Sequence, residues 1–448
     1  MSLRRKAMVQ MEEWKLRKTR QALLVSGARQ VGKTYLIREF ARAHYGHLVE
    51  INLVDRPEAA QAMANVKSAD QLFLRISAFA DAPLVPYDTL VFIDEVQECP
   101  EIITALKFLI DRYGAELDFV VSGSLLGIEM YGIRSLPVGY LDIVDMYPLD
   151  LEEFCWATGV PSVVLDEARS AFAELRSVDP FVHERLEEAF HNYAVVGGMP
   201  DAVQAFVDSN NMQTVRHLQE GVLELYRRDI SKYAGARART VRRIYDLVPS
   251  ELNTQSKRFA IGHIEGSSRF NRYDNDFMWL ADAGVVLPTY NVDEPRYPLE
   301  LSADSSFFKL FMSDVGLLTC ACGMDVVRDL MNDRIDINYG SIYENYTAQE
   351  FAAHGLCHPA PDLHLYFFRN RKMGELDFVA ESPRGRVVPI EVKSGKSYRR
   401  HSALDNVLEV PNYGIEEAIV LHEGNVEIEG GIRYLPMYMT MFLERSAV

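Results

Sequence analysis

The eight residues G-A-R-Q-V-G-K-T, Gly27 to Thr34, constrain this chain more than any other feature. They fit the spacing G-x-x-x-x-G-K-[ST], follow the apolar run ALLVS and precede the helical run YLIREFARA. A loop of this kind turns successive backbone N–H groups toward a phosphate at the positive end of a helix, so a strand, a tight turn and a helix must be built around it. Gly27, Ala28, Arg29, Gln30, Val31 and Gly32 form the cradle, although the Arg29 and Gln30 side chains need not face the phosphates. Lys33 is expected to reach the β- and γ-phosphates of ATP, and Thr34 to offer its hydroxyl to Mg²⁺.

A second motif completes the site. The apolar strand T-L-V-F-I ends in Asp94 and Glu95, and the stretch between Lys33 and Asp94 has room for two crossover units. Asp94 is expected to hold Mg²⁺ through water, and Glu95 to polarise the attacking water as general base. The run L-D-F-V-V-S-G-S predicts a strand between the other two. Its polar end, Ser122 or Ser124, either contacts the γ-phosphate or water, or belongs to an ordinary Ser-Gly-Ser turn. Arg134, in the following loop, has two readings: an arginine finger reaching a neighbouring subunit's nucleotide, or an exposed loop arginine.

From Gln21 to about Tyr147 short apolar strands alternate with helical stretches, the pattern of βαβ units around a parallel sheet. With 448 residues the chain is too long for one core. The segmentation predicts an α/β domain over 1–150, a helical segment over 151–233, a module of winged-helix size and order over 234–301 and a second α/β domain over 302–448. In the third segment, breaks fall at Pro249 and Gly262, and VVLPTYNV is expected to supply a small β-wing.

A net charge of −17 argues against a protein that coats nucleic acid non-specifically, while leaving room for a local basic face. One such stretch exists. Arg227, Arg228, Arg237, Arg239, Arg242 and Arg243 are followed by Lys257, Arg258, Arg269 and Arg272, and they read either as a phosphate-backbone contact or as a solvated face paired with nearby acids. Tyr273, Phe277 and Trp279, with Phe270, read as core. The five scattered cysteines read as reduced thiols. With no apolar leader and no run of membrane-spanning length, the chain is expected to be cytoplasmic, without a membrane partner.

Near the end, G-E-L-D-F-V-A and V-V-P-I-E-V-K-S-G place Asp377, Glu391 and Lys393 on two adjacent candidate strands. Alternation puts Glu391 and Lys393 on one face, with Asp377 across a hairpin. Two carboxylates and an ammonium suit metal-dependent phosphodiester cleavage, Asp377 and Glu391 as Mg²⁺ ligands and Lys393 orienting water. Glu344, on the helix opening YENYTAQEF, supplies a further acid. Lys396, Arg399, Arg400 and His401 either touch a nucleic-acid backbone or face solvent.

The P-loop and the acid pair resemble the AAA+ branch of P-loop ATPases. More closely, GARQVGKT, VFIDEVQ, VVSGS, YPLDLEEF and VVGGMP resemble a bacterial and archaeal ATPase family whose members commonly carry a C-terminal domain related to PD-(D/E)xK nucleases. The resemblance implies an α/β fold class: an AAA+ type P-loop parallel sheet with helices, then a helical lid, a winged helix and a nuclease-like α/β domain. It makes Asp377 the first motif acid, Glu391 and Lys393 the E-x-K element, and Glu344 the helix acid. Leu376 stands where the motif has proline. Two functions remain open: an ATPase coupled to a domain that binds and cuts DNA or RNA, or an ATP-driven scaffold whose silent C-terminal domain recognises a protein. The AAA+ resemblance also suggests a homo-oligomer.

Overall fold

The computed structural model describes residues 3–64, 66, 68–124, 139–254, 257–265, 273–323, 339–356, 365–395 and 397–444. The chain divides into two compact units. One comprises Arg4–Tyr147 with Asp282–Gly284, the other chiefly Pro148–Ala281 and Val285–Val448.

The first unit is built on strands β1 (Ala22–Ser26), β2 (His47–Asn52), β3 (Thr89–Asp94), β4 (Asp118–Ser122) and β5 (Leu141–Asp145). Their order is β2-β3-β4-β1-β5, and every pairing is parallel. A parallel sheet is covered on both faces, and β3 accordingly reads T-L-V-F-I-D with each residue buried. The covering helices are amphipathic. Helix Glu101–Tyr113 buries Ile102, Ile103, Leu106, Leu109 and Ile110, one helical face, against Val91, Ile93 and Val121. As the run LDFVVS predicts, β4 lies between β1 and β3, so three strand ends carrying the P-loop, Asp94 and Ser122 lie side by side. Ligands of open α/β sheets bind at this carboxyl edge.

The second unit begins with helices Leu151–Ala157, Ser162–Glu174, Pro180–Val196, Pro200–Ser209 and Met212–Tyr233, matching the predicted helical run. The first opens with a reciprocal cap between Asp150 and Glu153, seen in the sequence as D-L-E-E. Strands β6 (Val286–Val292), β7 (Ala303–Met312), β8 (Leu365–Asn370), β9 (Gly374–Glu381), β10 (Val387–Val392), β11 (Ala418–His422), β12 (Glu427–Glu429) and β13 (Ile432–Pro436) form one sheet, ordered β12-β13-β11-β10-β9-β8-β6-β7.

Two expectations change here. The strand drawn as a wing, β6, is an inner strand of this sheet, antiparallel to β7 with Val286 opposite Met312 and parallel to β8 with Thr289 opposite Leu365. Consecutive buried residues at Pro288–Thr289 and Asn291–Val292 explain why: both faces of the strand are covered, which an exposed wing does not provide. The boundary drawn at residue 301 therefore falls inside one sheet. Helix Ala238–Leu252 also continues through Pro249 instead of breaking there, with Val248 and Leu252 buried on either side of it.

Among the described residues no helix is long and apolar enough to cross a membrane. Cys99, Cys155 and Cys320 are buried free thiols and Cys322 is half-buried, while Cys357 lies outside the described residues.

Candidate functional site

After β1 the chain turns through Gln30 and Gly32, both in the left-handed region at φ 68° and 94°, and enters helix Lys33–His44. The Lys33 ammonium donates to the Gly27 and Ala28 carbonyls, each at 2.8 Å. Burial lowers its pKa to about 8, against the raising pull of Glu95 and Asp94.

Asp94, buried at the end of β3, is the hub of the site. Its Oδ2 accepts from Thr34 Oγ1 at 2.9 Å and from Asn52 Nδ2 at 3.2 Å. Its Oδ1 accepts from Ser122 Oγ and from the Glu95 N–H at 3.0 Å. Burial raises its pKa, opposed by the Ser122 and Thr34 hydrogen bonds. Glu95 has a left-handed backbone, φ 56°, uncommon for a residue other than glycine and a mark that clusters at functional positions. Its carboxylate accepts from Gln97 Nε2 and from Ser124 Oγ at 3.4 Å, and Ser124 in turn accepts from Arg29 Nε at 3.3 Å. Ser122 and Ser124 thus each serve one of the two acids, and Arg29 turns to Ser124. Arg134 lies outside the described residues.

Sequence reasoning missed two members. Asn52 ends β2 next to Asp94, and a polar residue closing the apolar run LVEI was the available signal. Arg5 is buried and donates to Val31 O at 2.8 Å and Tyr147 O at 2.6 Å, tying the P-loop to the end of the first unit. No local pattern singles it out, because its partners are backbone carbonyls 26 and 142 residues away.

In the second unit, Glu344 on helix Gly340–Ala353, Asp377 on β9, Glu391 on β10 and Lys393 just beyond it come together as the sequence predicts. Strands β9 and β10 are antiparallel, Val392 N donates to Asp377 Oδ2 at 2.8 Å, and Lys393 Nζ meets Glu391 Oε2 at 2.5 Å. Two further cations join them. Lys309, fully buried on β7, lies 3.5 Å from Glu344 Oε2 and 2.8 Å from Glu375 Oε1, and Lys257 pairs with Glu344 Oε1. Lys309 was legible as a lone cation inside FFKLFM, since a buried ammonium must find carboxylates. Burial raises the Asp377 pKa, and Glu344 and Glu391 push it further up. Burial would raise Glu344 too, but Lys309 and Lys257 overcome it and hold Glu344 low. Among the described residues no three His, Cys, Asp or Glu side chains are placed to hold one metal ion.

The basic stretch is largely paired. Arg227 meets Asp246 at 2.8 Å, Arg228 meets Glu224 at 3.3 Å, Arg237 grips Asp276, and Arg243 donates to the His263 carbonyl at 3.0 Å. Lys257 leaves the strip for Glu344, and Arg269 and Arg272 lie outside the described residues. Tyr273 and Phe277 are buried, as expected of core residues.

Comparison with known families bears on the first unit directly: residues 19–155 match a family described as an AAA domain. This segment is an AAA-type ATPase domain. Residues 187–328 and 339–439 match two domains of unknown function, DUF8612 and DUF4143. Among solved structures, the Walker-type ATPase of Pyrococcus abyssi is 14% identical, with 72% of this chain and 96% of that chain covered and a TM-score of 0.43. PCH-2 of C. elegans is 15% identical, with 47% and 65% covered and a TM-score of 0.26. No curated protein matches the chain.

In the AAA domain the donor set fits a magnesium nucleotide: the Thr34 hydroxyl and the Asp94 carboxylate are hard oxygens 2.9 Å apart beside a buried ammonium. The loop holding them has no slack. Gly27 sits at φ 140°, and a Cβ there would stand 2.2 Å from the Met146 carbonyl oxygen. Gly27→Ala is expected to lose about 3 kcal/mol from overpacking and backbone strain together. Chemical denaturation checks this, and wild-type stability would refute the close approach.

Proposed function

We propose that the AAA domain hydrolyses ATP with Mg²⁺, and that its nucleotide state controls a C-terminal unit of nuclease-like build which recognises a partner without cutting nucleic acid. The observation that carries the first part is the Asp94 hub, which joins Thr34, Asn52, Ser122 and the Glu95 N–H at one carboxylate. Thr34 and Asp94 would hold the ion, whose charge offsets that of the β- and γ-phosphates. Lys33 binds the same phosphates, and the P-loop N–H groups position them. Glu95, oriented by Gln97 and Ser124, accepts the proton of the attacking water.

Glu95→Gln keeps the hydrogen-bonding shape and removes the base. ATP affinity is expected to stay within a few-fold of wild type while turnover falls by about 10²-fold or more. Turnover at the wild-type rate would reject Glu95 as the base.

For the C-terminal unit, the convergence of Glu344, Asp377, Glu391 and Lys393 supports the nuclease-like build. The pairing of those acids with Lys257, Lys309 and Lys393 favours a silent site, and a net charge of −17 favours a protein partner. Incubating the chain with DNA and RNA panels, Mg²⁺ or Mn²⁺, and ATP tests this: cleavage that disappears in Asp377→Ala would reject it.

A further inference from the structure

We propose that the acidic cluster of the C-terminal unit is closed to divalent ions because Lys309 and Lys257 occupy the cation's place. The proposal rests on the nuclease-like reading of that cluster and goes beyond it, since a silent site and a metal-free site are different claims.

A divalent ion at this position needs carboxylate oxygens from at least two acids turned toward one point. At least one oxygen of each acid is already engaged. Glu344 Oε1 pairs with Lys257 and Glu344 Oε2 faces Lys309 at 3.5 Å. Glu391 Oε2 holds Lys393 at 2.5 Å, and Asp377 Oδ2 accepts from the Val392 N–H at 2.8 Å. The acids Glu344, Asp377 and Glu391, with Glu375 beside Lys309, face the ammoniums of Lys257, Lys309 and Lys393 and the Arg369 guanidinium, so four carboxyl groups meet four cations and the cluster lacks the surplus negative charge that draws in a hard cation.

The two lysines differ in permanence. Lys309 is anchored on β7 with no exposed surface, its ammonium 4.8 Å from the Phe367 ring and 2.8 Å from Glu375. It has no route to solvent. Lys257 keeps 17% of its side chain exposed and pairs with Glu344 Oε1, so it alone of the pair is removable without emptying the core. Lys257 is thus the closure, and Lys309 the fixed counter-charge behind it.

The test is Mn²⁺ binding to the nucleotide-free full chain, read from the electron paramagnetic resonance signal of free Mn²⁺. Comparing each protein with its Asp377→Asn counterpart separates this cluster from Asp94 and Thr34. Wild type and Asp377→Asn are expected to take up the same amount of Mn²⁺. Lys257→Met is expected to gain uptake at least about tenfold tighter, lost again when Asp377→Asn is added. Should Lys257→Met not fold, Lys257→Gln serves the same comparison. Uptake by wild type that Asp377→Asn removes overturns the proposal, as does a Lys257 variant that gains nothing. Nucleic-acid cleavage would reject the silent-site reading, whereas Mn²⁺ uptake without cleavage rejects only the closure by lysine.

Discussion

Replacing Lys33 with alanine is expected to reduce ATP turnover by about 10²–10³-fold, the scale of losing one preorganised charge at the transferring phosphoryl group. Its ammonium already points into the loop, donating to the Gly27 and Ala28 carbonyls, and no other lysine is described in the loop to take its place. The same residue gives ATP binding a pH dependence. Burial lowers the Lys33 pKa to about 8, so the free site carries the ammonium below that pH and loses it above. Phosphates bind the ammonium, not the amine. ATP affinity should therefore be flat below pH 8 and fall above it by up to about tenfold per pH unit, with a proton taken up on binding. Calorimetric titration from pH 7 to 9.5 in buffers of different ionisation heat measures both. Lys33→Ala should bind weakly at every pH, with the slope gone; a slope that persists in the variant would assign it to another group.

What could be read without the structure follows from the range of the interactions involved. The P-loop, β3 with Asp94 and Glu95, and β4 between them were legible because each lies in a contiguous apolar run ending in a polar residue, and the parallel sheet requires such runs. The C-terminal set was legible for the same reason, since Asp377 and Glu391 flank one hairpin. Arg5 was not singled out because its partners are distant in sequence and its own surroundings are ordinary; Asn52 and Lys309 carried a local signal, a polar residue at the end of or inside an apolar run, but the partners that give it meaning lie on other elements. Strand β6 was assigned to a wing because a strand's neighbours are not encoded in its own seven residues: the same V-L-P-T-Y-N-V suits an edge hairpin or an inner strand, and only pairing with β7 and β8 decides. The basic stretch left two readings open for a related reason. Lysine and arginine are easy to count along a chain, but Asp246, Glu224, Asp276 and Glu344, which neutralise them, come from other turns and other elements.

Lys309→Met is expected to destabilise the C-terminal unit by about 3–5 kcal/mol, the cost of breaking a buried ion pair from one side. Methionine fills much the same space along the lysine stem, so packing is kept and charge is what changes. Among the described cations Glu344 would keep Lys257 and Glu375 would keep Arg369 at 3.5 Å, so the buried Glu344 and the half-buried Glu375 would both be poorly compensated where β7, β9 and helix Gly340–Ala353 meet. The wild-type network itself need not be a net source of stability, because desolvating its charges offsets most of their attraction. That asymmetry makes a double-mutant cycle the decisive form of the measurement. Glu344→Gln should soften the loss caused by Lys309→Met, with a coupling energy of about 1–3 kcal/mol in urea denaturation. Additive losses would mean that Lys309 is held by Glu375 alone, and that the carboxylate on helix Gly340–Ala353 is neutralised by Lys257 without help from the sheet.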